Sequence, residues 1–183
     1  GTGHAVIQAL PALQRVAKVL VLYGDVPLIR SETLQSLIAA TASTPLALLA
    51  TRLEDPTGYG RMVRDDRNRL LRIVEHKDAT PEERAIHEVN TGILCCERQQ
   101  LAQWLGRIDN DNVQGEHYLT DIVGLAVADG HEVAAVLASD PMEVTGINDR
   151  CQLAAIERSF QARQAERLMR AGVTLMDPAR FDL

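Results

Sequence analysis

Two unbroken apolar runs do most to decide what this chain can become. Val19-Leu20-Val21-Leu22 and Leu46-Ala47-Leu48-Leu49-Ala50-Thr51 show no alternation of polar and apolar positions. A strand that is apolar at every position has both faces covered, the pattern of a central strand between layers of helices. Helical patterns fall between such runs. Ser31-Glu32-Thr33-Leu34 opens one, with Ser31 as its cap and Leu34, Leu37 and Ile38 as its apolar face, and Pro45 ends the stretch. Met62 to Val74 reads as two short strands around the polar turn Asp65-Asp66-Arg67-Asn68, and Asp78 to Arg84 as a polar excursion with a short helical start. Glu88 to Cys96 is a further strand, Glu97 to Leu105 and Leu119 to Asp129 are helical, and Glu132 to Leu137 returns to strand. Asp149 to Ala171 predicts one long helix with Leu153, Ile156, Phe160 and Leu168 on one side and Gly172 as its stop. The alternation predicts an α/β domain with a mostly parallel central sheet and one inserted hairpin.

Composition narrows the classes of function. The 183 residues are 46% hydrophobic, enough for one domain with a real core and too apolar for a disordered tail. The apolar stretches are interrupted, so no membrane span is expected, and no leader pattern of charge followed by an apolar run opens the chain. Lys and Arg number 19 against 25 Asp and Glu, a net charge of −6. Such a surface argues against broad nucleic-acid binding, which needs a basic face, but leaves room for one small anion held by amides or a metal. Three cysteines, Cys95, Cys96 and Cys151, show no Cys-x-x-Cys spacing. Adjacent Cys95 and Cys96 point to opposite faces of a strand and make a poor metal pair, so a reduced, cytoplasmic setting is expected.

In open α/β sheets the ligand crevice lies beyond the carboxyl ends of strands, so the residues that follow an apolar run carry the chemistry. Asp25 follows the first run directly, with Gly24 before it to let a ligand approach the backbone. It reads either as a Mg2+ ligand set against a phosphate or as the cap of a turn before Pro27. Asp55-Pro56-Thr57-Gly58-Tyr59-Gly60 reads either as backbone amides laid along a ligand or as a plain turn. Glu75-His76-Lys77-Asp78 is a charge run at a strand end, of the kind that is usually solvated. Asn90-Thr91-Gly92 places an amide and a hydroxyl inside an apolar segment, so backbone or a ligand hydroxyl must satisfy them. His87, His117 and His131 have no partners at metal-ligand spacing and read as surface or structural residues. No full Walker or Rossmann glycine signature is present, and Gly1-Thr2-Gly3 resembles only the remnant of a glycine loop.

Taken in order, the motifs become specific. Gly1-Thr2-Gly3-His4-Ala5, Leu22-Tyr23-Gly24-Asp25-Val26-Pro27-Leu28, Asp55-Pro56-Thr57-Gly58-Tyr59-Gly60-Arg61, Val74-Glu75-His76-Lys77-Asp78-Ala79 and Glu88-Val89-Asn90-Thr91-Gly92 form one series. Gly115-Glu116-His117-Tyr118-Leu119-Thr120-Asp121, Gly146-Ile147-Asn148-Asp149-Arg150 and Asp177-Pro178-Ala179-Arg180-Phe181 continue it. The series resembles the bacterial bifunctional N-acetylglucosamine-1-phosphate uridyltransferase/glucosamine-1-phosphate acetyltransferase family along essentially the whole chain. The resemblance implies a Rossmann-like sugar-nucleotidyltransferase fold. It further implies Mg2+-dependent transfer of UMP from UTP to N-acetylglucosamine 1-phosphate, giving UDP-N-acetylglucosamine and pyrophosphate for peptidoglycan and lipopolysaccharide precursors. Position by position, it implies that Gly1 and Thr2 touch the uracil end and that Tyr23, Gly24 and Asp25 line the sugar-nucleotide site. Gly60, Glu75 and Asn90 would hold the N-acetylglucosamine, Asp25 and Asn148 would ligate Mg2+, and Glu116 and Tyr118 would shape the pocket wall.

The same resemblance implies that residues 1–183 are the C-terminal larger part of the uridyltransferase domain. The family's opening strand and glycine-rich loop would precede Gly1, and residues 149–171 would lead toward a left-handed β-helix domain that carries acetyl transfer and forms a homotrimer. Such a fragment, lacking much of the UTP grip, is expected to be impaired in isolation. Two other readings stay open: a different sugar-1-phosphate nucleotidyltransferase, and an inactive nucleotide-sugar-binding fragment.

Overall fold

The two apolar runs both become strands but are covered differently. Leu46 to Thr51 is buried at every position, whereas of Val19 to Leu22 only Val19 is buried and Leu22 is 47% exposed. The expected double cover therefore holds for the second run and not for the first, which pairs along one side only. A computed structural model describes residues 1–183. Six strands form one sheet: β1 (Lys18–Val21), β2 (Leu46–Arg52), β3 (Gly60–Arg64), β4 (Leu70–Val74), β5 (Glu88–Glu97) and β6 (Val133–Leu137). The helices are α1 (Thr2–Ala9), α2 (Ser31–Ala40), α3 (Pro81–Arg84), α4 (Arg98–Leu105), α5 (Ile122–Ala128) and α6 (Arg150–Arg170). Along β2, Leu46, Leu48 and Ala50 face one layer with Leu94 and Cys96 of β5, under Trp104 of α4 and Ile122 of α5. Ala47 and Leu49 face the other layer with Ile93 and Cys95, under Leu37 of α2 and Val144. The period-2 alternation of a strand thus splits one apolar run between two cores. Cys95 and Cys96 fall on opposite faces, and all three cysteines are free thiols.

The expected mostly parallel sheet is corrected by the pairing. The strand order is β4-β3-β5-β2-β6, with β1 also paired to β5. Only β2 and β6 pair in parallel; β1 and β3 run antiparallel to β5, as does β2, and β3 and β4 form an antiparallel hairpin. The sheet is therefore mixed. An apolar run reports that both faces are covered but says nothing about direction, so β5 could not be recognised as the reversed strand at the centre.

The reversal of β5 makes the site. Val21 at the end of β1 is opposite Leu94, and Gly60 at the start of β3 is opposite Asn90, so two strands abut along one edge of β5. Between them β5 bulges. Its register against β2 jumps from Leu48–Leu94 to Ala50–Asn90, and Gly92 sits at φ +83°. The irregularity leaves the Leu49 carbonyl off the ladder, and the Thr91 hydroxyl donates to it at 2.7 Å.

Several local readings shift by a few residues. Ser31 is the first residue of α2 rather than its cap; Arg30 is the N-cap, and no side chain caps that end. Leu119–Asp121 is a 3-10 turn that precedes α5. The buried face of α6 is Ile156, Gln161 and Ala165, whereas Leu153 is 49% exposed. Gln161 earns its burial by accepting from the Leu183 backbone at 2.9 Å, a link between the helix and the returning tail that apolar periodicity does not register. Gly172, at φ +96°, stops α6 with its N–H donating to Met169 O at 3.0 Å. Gly1-Thr2-Gly3 is not a loop remnant but the N-cap and first turn of α1, where the Gly3 N–H donates to His117 O at 2.9 Å. No helix is long and apolar enough to cross a membrane.

Candidate active site

Two adjoining clefts open where β1 and β3 part. The first, about 270 Å³, is lined by Tyr23, Gly60, Glu75, Asn90, Tyr118 and Thr120 among others. The second, about 380 Å³, is lined by Asp25, Asn148, Gly146 and Gln152. Tyr23, Gly58, Tyr59 and Thr91 line both, so the clefts form one continuous groove over the bulge of β5.

Tyr23 is seated by the glycine beneath it. A Cβ on Gly92 would stand 2.8 Å from Tyr23 Cζ and 2.9 Å from its Oη, so the hydroxyl end of the ring rests on a backbone that only glycine leaves bare. Burial, then the Glu75 and Asp25 charges, raise the Tyr23 phenol above its ordinary range. Gly60 is needed for a comparable reason, since a Cβ there would lie 2.8 Å from Ile73 Cγ2 and 3.3 Å from Glu75 Oε1.

Glu75 follows β4 directly and lies against Gly60. Its carboxylate accepts from Thr120 Oγ1 at 3.0 Å. Burial raises its pKa, the Thr120 hydrogen bond opposes that rise, and the Asp78 charge adds to it. Glu75 is thus not the solvated strand-end charge of the bland reading. Asn90 is buried, and its side-chain oxygen has no hydrogen-bond partner in the protein. An orphaned buried acceptor costs about 1–3 kcal/mol unless something donates to it.

The loop from Asp55 to Gly60 turns out to be a turn as well as a lining. Asp55 Oδ1 accepts from Thr57 N at 3.0 Å, and hydrogen bonding from the Thr57 side chain and then its backbone holds that carboxyl below its usual range. Arg61, 1% exposed, fastens the loop from behind. Its guanidinium donates to the Tyr59 carbonyl and, at 3.4 Å, to Arg84 O, and it meets His76 Nδ1 at 3.2 Å. His76 is engaged there, and His87 and His131 lie against Leu53 O and the edge of Trp104.

Asp25 stands just beyond β1. The turn before Pro27 is closed by backbone, Val26 N to Tyr23 O at 3.3 Å, so the Asp25 side chain is not needed to cap it. Asp25 O accepts from Ile147 N at 2.9 Å, which ties the loop carrying Asn148 to the end of β1. Asp149 caps α6 by accepting from Gln152 N at 2.8 Å, and Gln152 Oε1 accepts from Asn148 N at 2.6 Å, fixing Asn148 before the helix starts. No cluster of three or more His, Cys, Asp and Glu side chains forms a metal-binding group. One carboxylate and one amide oxygen in one cleft fit a hard cation that keeps waters and takes phosphate oxygens as its other ligands.

Of the residues expected from sequence, Thr2, Tyr23, Gly60, Glu75, Asn90, Glu116 and Tyr118 line the first cleft, and Asp25 and Asn148 the second. Gly24 lies between Tyr23 and Asp25 with open space where a Cβ would stand, and Gly1 sits apart, against Glu116 and His117. Sequence reasoning missed Thr120, Gln114 and Gln152 as lining residues. Thr120 lay inside a quoted motif, but its partner Glu75 is 45 positions away.

It also missed an acidic cavity of about 480 Å³ behind Glu75, lined by Asp78, Asp109, Asp111 and Asp121 among others. Burial, with the Asp109, Glu75 and Asp78 charges, pushes Asp121 up to about 6 from 3.8. Between those values the folded chain keeps a proton that the unfolded chain has released, so stability falls as pH rises and the full deficit stands above about 6. Asp121 is partly exposed, and solvent screening reduces the effect to about 1 kcal/mol. Asp121→Asn is expected to raise the melting temperature by roughly 3 °C at pH 8 and leave it unchanged at pH 4. Thermal melts at both values check this, and an equal gain at both would refute the electrostatic origin.

Comparison with known proteins places this geometry. Residues 1–144 match the family described as nucleotidyl transferase. The bifunctional protein GlmU of Azotobacter vinelandii is 61% identical over all 183 residues, and that of Stutzerimonas stutzeri 59%. The chain spans 40% of the length of each of these relatives. Among solved structures, a putative glucose-1-phosphate thymidylyltransferase from Bacillus anthracis superposes with a TM-score of 0.61 at 16% identity, over 100% of this chain and 65% of that one. The 4-diphosphocytidyl-2C-methyl-D-erythritol synthase of Anaerococcus prevotii gives 0.59 at 16% identity, over 88% and 67%. At such identities the likeness is one of fold.

Proposed function

The chain belongs to the nucleotidyl transferase family, and on that premise we propose that its groove holds the sugar and cation side of a uridyltransferase site. The substrates are UTP and N-acetylglucosamine 1-phosphate, and the products UDP-N-acetylglucosamine and pyrophosphate. The carrying observation is the first cleft, where an unsatisfied buried amide oxygen on Asn90 stands near the Glu75 carboxylate. Two such acceptors suit a ligand rich in O–H and N–H donors, as the hydroxyls and acetamide of N-acetylglucosamine are. A ligand lacking those donors would leave them unpaired, which is how a polar pocket discriminates.

The reaction joins two anions. An oxygen of the sugar 1-phosphate attacks the α-phosphorus of UTP, and the bond to the β-phosphate breaks to release pyrophosphate. No covalent intermediate is needed, so positioning and charge stabilisation carry the rate. Asp25 and Asn148 are the residues that would hold Mg2+, which when bound offsets the repulsion between the phosphates. The protein's own part is to hold the sugar against Gly60, Glu75 and Asn90, and to offer the Tyr23 ring, which lines both clefts, as a floor between sugar and phosphate. Thr2, which lines the first cleft with that ring, would meet the nucleotide. Acetyl transfer and a homotrimer, also implied by the resemblance, are proposed for segments outside these 183 residues, and a cytoplasmic setting accords with three free thiols.

The test is pyrophosphate release by the intact protein with a panel of nucleotides and sugar phosphates. UTP with N-acetylglucosamine 1-phosphate is expected to exceed glucose 1-phosphate, which lacks the acetamide, by roughly a hundredfold in kcat/KM. Faster turnover of another pair would transfer the assignment to that sugar or base.

A further inference from the structure

Glu75, Thr120 and Tyr118 form the wall between the groove and the acidic cavity behind it, and all three line each side. The position is electrostatically awkward for Glu75. Asp78 follows it in the turn after β4 and raises its pKa, Asp121 faces it from the 119–121 turn, the Tyr23 and Tyr118 phenols feel its charge, and Glu116 lines the same cleft. The cations of the rear cavity are engaged elsewhere: Arg72 pairs with Glu83 at 2.6 Å, and Arg107 with Asp129 at 2.6 Å. The Thr120 hydroxyl, at 3.0 Å, is the only hydrogen-bond donor that the Glu75 carboxylate finds in the protein.

Thr120 is itself held firmly. The adjacent Leu119 is 2% exposed, and its N–H donates to Thr2 Oγ1 at 3.2 Å. The turn that carries Thr120 therefore cannot follow Glu75 if the carboxylate swings. A hydroxyl has one proton to give, and here it is committed to Glu75.

We propose that Thr120 is the positioning residue of the sugar pocket: its hydroxyl fixes the Glu75 carboxylate at the groove side of the wall and thereby sets affinity for the sugar phosphate. The inference rests on the reading of Glu75 as a sugar ligand. Thr120 does not touch the reacting atoms; it acts through Glu75. With the hydroxyl gone, Glu75 is a half-buried anion with no donor, beside carboxylates that repel it. It then takes up a proton more readily and loses its fixed orientation.

The experiment has two readouts on the intact protein, with Thr120→Val as the isosteric deletion, Thr120→Ala as a second deletion and Thr120→Ser as the conservative variant. Carboxyl-carbon NMR, with the Glu75 resonance assigned by its loss in Glu75→Gln, is expected to show the Glu75 titration moved to higher pH in Val and Ala and returned in Ser. Steady-state kinetics are expected to show KM for N-acetylglucosamine 1-phosphate raised roughly tenfold in Val, with the loss on that KM rather than on kcat or on KM for UTP, and recovered to within about twofold in Ser. An unmoved Glu75 titration in both deletions overturns the proposal, as does an equal rise in both KM values. A moved titration in a protein that makes no UDP-sugar leaves Thr120 as the positioner of Glu75 and removes the uridyltransferase reading instead.

Discussion

Replacing Asp25 with alanine is expected to lower kcat/KM for pyrophosphate release by roughly a thousandfold while moving the melting temperature by less than about 2 °C. The two halves of that expectation come from the same observations. Asp25 is an exposed side chain beyond the end of β1, and the turn it sits in is closed by Val26 N on Tyr23 O. Its main-chain carbonyl, which alanine keeps, is the group that ties down Ile147. Folding therefore has little use for the carboxylate. The chemistry has a great deal, because the second cleft offers one formal negative charge on Asp25 and one neutral oxygen on Asn148 to a cation. Asp25→Asn keeps the shape and discards the charge, so it should fall nearly as far as alanine. A rate within about tenfold of the parent in Asp25→Ala would remove the metal-ligand assignment. A large loss of melting temperature would instead make Asp25 a structural residue after all.

How much of this was visible in the sequence differs by level. The run that marked β1 overstated that strand's cover, whereas the apolar run Leu46 to Thr51 marked β2 because a doubly covered strand leaves a local signature in its own residues. The polar turn Asp65–Asn68 marked the β3–β4 hairpin for the same reason, and Asn68 takes the positive φ, 64°, that the turn requires. Direction left no such signature: β5 pairs with three strands, and what reverses it is the path of the chain. Helix α1 was missed because its glycines suggest a loop, whereas the Gly3 amide is held by His117, 114 positions along. In the site, Asp25, Glu75 and Asn90 were legible as polar residues at strand ends or inside an apolar run. Thr120 and the acidic cavity were not, because their chemistry arises only where the 119–121 turn meets β4.

Gly92→Ala is the substitution expected to damage fold and site together. At φ +83° an alanine is strained by about 1–2 kcal/mol. Its Cβ would also stand 2.8 Å from Tyr23 Cζ, so the ring must leave its seat, and overpacking of this kind costs about 1–3 kcal/mol. Together these predict a loss of roughly 3 kcal/mol, or about 6–12 °C in melting temperature for a chain of this size. The bulge that positions Thr91 and Asn90 would be disturbed as well, so affinity for the UDP-sugar should drop by roughly a hundredfold or more. The two costs can be separated, because only one of them involves Tyr23. In the double variant Gly92→Ala with Tyr23→Ala the steric part is relieved and the backbone part persists. Its melting temperature should therefore lie above the sum of the two single losses, a coupling of about 1–2 kcal/mol, while binding stays lost because the floor of the groove is gone. Strict additivity would mean that the ring does not rest on Gly92. Recovery of binding along with stability would mean that Tyr23 blocks the groove rather than lining it.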